Sequence, residues 1–482
     1  MKQAVIDGLV KIVGERWVKV RQAELATFRS DGLPTRESTP GLVVLPANRE
    51  QLIAVVQLLH QHAIPFVARG AGTGLSGGAL ADTDGVLLTL TRLNHILSID
   101  PLGRRAVVEP GVVNARLSEA AARFGLQYAP DPSSQSACTI GGNVAENAGG
   151  PHCLKYGVTT NHVVMIELLK PDGSLVTLGS PQGETWGPDL VGIFVGSEGM
   201  FGIALKITVR LVPIPVAVRT LLAGFATVRA ASQAVSSIIA SGIVPAALEM
   251  MDRSCVAAVE ASIYAAGYPL DAAAVLLVEL DGGDTAVAIE ARAVDLLLRK
   301  HGATSLQVAA NASERARLWQ GRKKAFGAMG RLAPDLAVQD AVVPRSALPD
   351  ILDKITEIRD RHGLTISNVF HAGDGNLHPN ISFDRRNPVL NEKVRAANAE
   401  IMNACIAAGG SITGEHGVGS DKIEYMDRMF TPATLEAMCA LRRVFDPDER
   451  ANPGKVIPHH TCREWKSAAH SHHAGEAAGV SE

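Results

Sequence analysis

The sequence contains no CxxC pair: its six cysteines, at 138, 153, 255, 405, 439 and 462, stand far apart in 482 residues. That spacing excludes the disulfide framework of a small secreted domain. It also supplies no ligand pattern for an iron–sulfur cluster within the chain. No run of about 18 apolar residues occurs, so no membrane-spanning helix is expected. The first twenty residues, MKQAVIDGLVKIVGERWVKV, carry charges throughout and lack the apolar core and cleavage site of a signal peptide. A cytoplasmic protein is expected, peripheral at the inner face of the plasma membrane where it docks onto a membrane complex. An excess of positive charge is missing too. Lys plus Arg number 46 against 49 Asp plus Glu, which removes the electrostatic case for nucleic acid. An anionic substrate would have to be held by a few placed cations. What is present, 46% hydrophobic and 20% charged residues, describes a globular chain long enough for two or three domains.

The first half alternates short apolar runs with glycine-rich turns. Helical spacing covers Arg49 to His62, and strands are predicted at IPFVAR, VLLTL, AVVEPGV and VVMIELLKPDG. After Pro213 and Pro215 the texture changes, and prolines that cannot continue a ladder mark a boundary. Strand VRTLLAGF, a helix over Thr227–Ser241, PAALEMMD, a helix over Arg253–Tyr264, strand AVLLVEL, a helix over Thr285–Lys300 and strand LQVAAN follow. That order predicts a ferredoxin-like sandwich. The tail from His459, with His459, His460, His470, His472 and His473, reads as disordered and solvated.

Three glycine-rich stretches fall in the first half. RGAGTGLSGGAL contains a GxGxxG at Gly72, Gly74 and Gly77, but turn and strand follow it rather than the helix a dinucleotide fold needs. The glycines instead let backbone N–H groups converge on an anion. The second stretch, from Pro130, offers small donors at Ser134, Ser136, Thr139 and Asn143, and close backbone approach at Gly141, Gly142, Gly149 and Gly150. The third, VGSEGMFGI, adds Gly196, Ser197, Gly199 and Gly202. Together they suggest one long ligand with a diphosphate.

These stretches resemble the FAD-binding domain of the vanillyl-alcohol-oxidase-like flavoproteins over about residues 40–215. The resemblance implies flavin contacts along Arg69, Gly70, Ala71, Gly72, Thr73, Gly74, Ser76 and Gly77. It implies others at Pro130, Ser134, Cys138, Thr139, Gly141, Gly142, Asn143, Asn147, Gly149 and Gly150, and on the adenine side at Gly199, Gly202 and Ile203. Covalent members bond the flavin through a histidine beside the first loop's glycines. Thr73 stands at the comparable position, so FAD is expected to be bound non-covalently.

Polar residues are densest from Leu318 to Lys455. In NVFHAGDGNLHPNIS, His371 and His378 flank a turn joining two strands, and in SITGEHGVGSDK, Glu415 precedes His416. Two imidazoles and a carboxylate form a three-ligand set with open positions, suited to Zn, Fe or Mn. Such a cation acidifies a bound hydroxyl; for water the pKa falls from about 15.7 to about 7, an upper bound of roughly 12 kcal/mol. In LWQGRKKAF, on a predicted helix, Arg322 matches a carboxylate in bidentate fashion and Lys323 and Lys324 form the solvated face.

HAGDGNLHPN and GEHGVG resemble the C-terminal domain of FAD-linked D-2-hydroxy-acid dehydrogenases. By that resemblance His371, His378 and Glu415 hold a divalent metal, Asn380 and His416 face the substrate, and His416 is the base. Arg322 falls where the family binds the substrate carboxylate, and Asn452, in NPGK, lies on the terminal return to the flavin. Members acting on D-2-hydroxyglutarate add a threonine and a lysine where Phe326 and Val338 stand here, which favours a smaller acid. GRKKAFGAMGRLAPDLAVQDAVVPRSALPDIL is similar to the branch formed by the catalytic FAD subunit of bacterial glycolate oxidase. That branch implies glycolate or D-lactate as substrate, an iron–sulfur subunit and a second FAD-type subunit as partners, and peripheral membrane association through them. The rival readings are a non-redox transferase on the same flavin fold and a non-catalytic flavoprotein scaffold.

The expected fold is thus α+β. It comprises an N-terminal helical segment (1–40), a two-subdomain FAD-binding domain of the vanillyl-alcohol-oxidase type (41–215) and a ferredoxin-like cap carrying substrate and metal (216–445). A helical return to the flavin (446–458) and the tail (459–482) complete it.

Overall fold

The computed structural model describes residues 2–183 and 187–458; the histidine-rich tail and Cys462 lie outside the described residues. The chain forms two compact units. Of the described residues, the first comprises 2–148, Val158–Pro213 and 416–458; the second comprises Gly149–Gly157 and Ile214–Glu415. This division differs from the expected one, whose cap covered 216–445. Residues 416–445, with the helix Pro432–Phe445, fall in the first unit, and a nine-residue excursion from the second glycine-rich segment belongs to the second.

Among the described residues the first unit holds three sheets, one of them only the short pair Leu126–Gln127 and Val212–Pro213. In the first, Leu42–Val44, Val86–Thr89 and Phe66–Arg69 run parallel, with Val18–Lys19 antiparallel at the edge. These strands are short continuous apolar runs because both faces are covered. The helix Arg49–Gln61 shows why the sequence folds locally as it does. Asn48 caps it by accepting from Gln51 N at 2.9 Å. Leu52, Val55, Val56 and Leu59 recur three to four apart and are fully buried. The second sheet is antiparallel, in the order Ile96–Asp100, Arg105–Val108, Ile203–Arg210, Val163–Leu169, Leu175–Gly179.

In the second unit, Ala217–Phe225, Ala247–Asp252, Ala274–Gly282 and Ala303–Val308 form an antiparallel sheet whose lateral order is fourth, first, third, second. Helices Val228–Ala240 and Asp284–Lys300 pack on it and on each other. This is the ferredoxin-like arrangement expected from the element order. The helix predicted over Arg253–Tyr264 ends earlier, at Glu260. The sheet continues through Thr365–His371, paired beside Ala247–Asp252, and so carries His371 on a strand end. Among the described residues, no helix is long and apolar enough to cross a membrane.

Candidate active site

The three glycine-rich segments, far apart in sequence, meet in the first unit. A side chain on Gly70 would run into Thr139 Oγ1, so the first loop touches the second segment directly. The second touches the third through Glu198 N, which donates to Ala145 O at 2.8 Å. Asn452 then ties the third segment back to the first, its Nδ2 donating to Glu198 O and, at 3.0 Å, to Gly78 O. Ser76 O accepts from Ser420 N at 3.0 Å. Pro130 and Cys138 are stitched together by Asn114, which donates to Pro130 O at 2.9 Å and to Cys138 O at 3.0 Å. Burial pushes the Cys138 thiol up to about 11, so it stays protonated and inert.

This ring fits an extended polar cofactor. Ser76 Oγ, Ser197 Oγ and Asn452 Oδ1 are buried on it without a hydrogen-bond partner, a cost normally met by a ligand or water. Three residues expected to contact the flavin, Arg69, Gly149 and Gly150, have other surroundings. The Arg69 guanidinium donates to Ser30 O at 2.8 Å and toward Phe28 O at 3.4 Å, so its side chain closes the loop rather than facing a diphosphate. Gly149 and Gly150 belong to the second unit, where Gly150 N donates to Cys153 Sγ at 2.9 Å. His416 opens the returning stretch of the first unit, on a loop whose Val418 and Gly419 amides donate to the Glu198 carboxylate at 2.6 and 2.7 Å.

The predicted metal set assembles within the second unit. His371 ends the strand Thr365–His371, directly opposite Glu249 on the neighbouring strand. Directly paired residues share a face, and His371 Nδ1 lies 2.8 and 3.0 Å from the two Glu249 oxygens. His378 Nδ1 meets Gln339 O at 3.2 Å. A ring nitrogen facing a carboxylate or a carbonyl carries the proton, so each imidazole presents the Nε2 lone pair on its other side. Those Nε2 atoms lie 3.4 and 3.3 Å from Glu415 Oε1, with the rings nearly perpendicular. The Glu415 loop is pinned by Asp340, whose Oδ2 accepts from Thr413 Oγ1 at 2.5 Å, Gly414 N at 3.0 Å and Glu415 N at 3.3 Å.

One ligand atom each from His371, His378 and Glu415 lies within 4.8 Å of the others, an arrangement that favours a positive charge among them. In the bare protein that demand falls on His371. Burial would lower its pKa, but the charges of Glu249 and Glu415 drive it well above the ordinary value. A divalent metal answers the same demand, and the donor set and the fixed tautomers suit one.

Arg322 lies on the inner face of the helix Ala312–Lys323 and is 1% exposed. Its Nη2 is 2.5 Å from Glu249 Oε2, while its Nε has no hydrogen-bond partner. Burial would raise the Glu249 carboxyl, but the Arg322 and His371 charges hold it below the usual range. Asn380 is fully buried; its Nδ2 donates to His378 O at 2.5 Å and Ser367 O at 3.3 Å, and its Oδ1 has no partner. Phe326 stands edge-on to His378, ring centres 6.5 Å apart.

Glu249, Gln339 and Asp340 were not anticipated from the sequence, although they orient every member of the metal set. Glu249 left a signal: it is the one carboxylate inside the buried run ALEMM, and a lone charge on a buried strand must find a counter-ion. Asp340 and the Gln339 carbonyl left none, because their partners are distant in sequence.

Comparison with known proteins places the chain in a family. Residues 214–456 match the family described as FAD linked oxidases, C-terminal domain, and residues 40–179 match FAD binding domain. The chain is 48% identical over 451 residues to the glycolate oxidase subunit GlcD of Escherichia coli (strain K12), covering 93% of this chain and 90% of that one. It is 38% identical to GlcD of Bacillus subtilis (strain 168), covering 94% and 96%. The solved structure of p-cresol methylhydroxylase superposes with a TM-score of 0.82 at 17% identity, covering 94% of this chain and 96% of that one, which identifies the fold as the vanillyl-alcohol-oxidase type.

Proposed function

The chain belongs to the FAD-linked oxidases, and on that premise we propose that it oxidises a small 2-hydroxy acid, glycolate or D-lactate, to the 2-oxo acid. The observation that carries the proposal is the pair of imidazoles, each tied down at Nδ1, facing Glu415 through Nε2. FAD, bound non-covalently with Thr73 in place of a linking histidine, supplies the hydride acceptor at N5. A divalent metal held by His371, His378 and Glu415 supplies the Lewis acidity that lowers the hydroxyl pKa.

The protein's own residues do the rest. His416 takes the hydroxyl proton as the general base. Arg322, its Nε unpartnered in a dry setting, binds the substrate carboxylate. Asn380 offers a buried, unpartnered oxygen beside His378, its amide being held by backbone carbonyls. Phe326 against His378 gives the pocket an apolar wall that suits hydrogen or methyl at C2 and disfavours a second carboxylate. Electrons leave to partner subunits, one of iron–sulfur and one of FAD type, which bring the chain to the membrane.

Anaerobic titration of the purified flavoprotein with a panel of 2-hydroxy acids, followed by metal analysis, tests the proposal. Bleaching of the flavin absorbance by glycolate or D-lactate, with about one metal per chain, is expected. A flavin that none of these acids bleaches would end the reading, and full activity in metal-free protein would remove the metal from it.

A further inference from the structure

Outside the metal set, a buried carboxylate in the second unit, Glu279, gathers a second network of charge. It lies on the strand Ala274–Gly282 opposite Ala247, and Glu249 lies opposite Leu277. Residues two apart on a strand, and residues directly paired across strands, share a face. Glu249, Glu279 and Asp281 therefore project from the same side of the sheet. Glu279 is 1% exposed. It accepts from Arg315 Nε at 2.8 Å and Nη2 at 2.7 Å, from Trp319 Nε1 at 2.6 Å and from Thr220 Oγ1 at 2.6 Å, and His152 Nε2 stands at 3.4 Å. Arg315, Trp319 and Arg322 follow one another by four and three residues on one helix, so they line a single face of it. That helix is held to the sheet at two carboxylates, Glu279 near its start and Glu249 near its end.

Glu279 and Asp281 also hold the Gly149–Gly157 excursion. Besides the His152 contact, Tyr156 Oη donates to Asp281 at 2.6 Å and Lys155 pairs with the same carboxylate. At the other end of the excursion, a side chain on Gly149 would come within 2.7 Å of Glu415 Oε2.

We propose that Glu279 is a positioning residue for substrate binding: by clamping Arg315 and Trp319 it sets the height and rotation at which the helix presents Arg322 to the substrate carboxylate. The inference rests on Arg322 being the carboxylate-binding cation. Displacing a binding group by about 1 Å can cost on the order of 10²-fold, and one amide in place of one carboxylate is a smaller disturbance.

The test uses the full-length holoenzyme and the variants Glu279→Gln, Arg322→Met and the double variant. Steady-state kinetics with glycolate, flavin and metal content, and Tm are measured on each. Arg322→Met is expected to raise KM. Glu279→Gln is expected to raise KM about tenfold, with kcat, flavin and metal content little changed. The double variant is expected to match Arg322→Met alone, because the clamp acts only through Arg322. A Glu279→Gln variant with a lower Tm and an unchanged KM would reduce the clamp to a structural anchor and overturn the inference, leaving the Arg322 reading intact. An unchanged KM in Arg322→Met would sink that reading, and the inference with it. If Glu279→Gln does not accumulate, Trp319→Phe removes one donor to Glu279 while keeping an aromatic ring, and carries the same expectation at smaller size.

Discussion

The ring of loops in the first unit and the metal set in the second are built by different means. The loops touch through glycines and main-chain carbonyls: Gly70 against Thr139 Oγ1, Glu198 N to Ala145 O, Asn452 Nδ2 to Gly78 O. The metal set is built from side-chain charges, where Arg322 and His371 both lean on Glu249 and His371 also faces Glu415. A main-chain ring tolerates most changes of side chain but not the addition of one at a glycine. A charge network tolerates changes of shape but not the loss of a member, since the partner is then buried alone. The two regions should therefore fail separately and by different substitutions.

The sharpest way to break that contrast is His371→Ala. Turnover is expected to fall at least about 10³-fold, on the order of 4 kcal/mol, with metal lost and the bound-flavin spectrum unchanged. Loss of flavin in the same variant would show that the regions are not separable. Glu249→Gln should lower metal affinity by roughly 10- to 100-fold, measured by chelator competition, again with flavin retained. Gly70→Val is the reverse experiment. Crowding Thr139 should cost about 1–3 kcal/mol, read as weaker FAD binding with metal content untouched. Phe326→Thr should shift the ratio of kcat/KM between glycolate and a bulkier 2-hydroxy acid by about tenfold toward the bulkier one.

The smallest effect concerns acid stability. Burial would raise the Glu279 carboxyl, but hydrogen bonds from Arg315 and His152 hold it far below the usual carboxylate range. A depressed pKa stabilises the fold above the unfolded value of about 4.3 and loses that contribution as pH falls through the folded one. The Tm of the parent protein should therefore drop more steeply below about pH 4 than that of Glu279→Gln, in thermal melts across that range.

What could be read from the sequence follows the same contrast. The glycine segments were legible because a backbone that must approach a neighbour closely shows itself in the local composition. That His371, His378 and Glu415 would come together was legible because imidazoles and a carboxylate stand in glycine-flanked loops. The residues that orient them were not, because their partners are set by strand register: Glu249 meets His371 only once two strands distant in sequence pair. The helix Pro432–Phe445 follows the metal loop in sequence, and nothing local says that it returns to the first unit. Glu249 and Glu279 each sit in an apolar strand, and that is the trace such networks leave.

The Gly149–Gly157 excursion bears on how the chain is made. His152 precedes Glu279 by 127 residues, so at about 5–20 residues per second a ribosome needs roughly 6–25 s to deliver the carboxylate that receives it. Throughout that interval the strand Val163–Leu169, just beyond the excursion, is already available to its own sheet. The nascent polypeptide must therefore keep a polar loop in reserve, and a shorter product ending near Pro213 would leave it with nothing to grip.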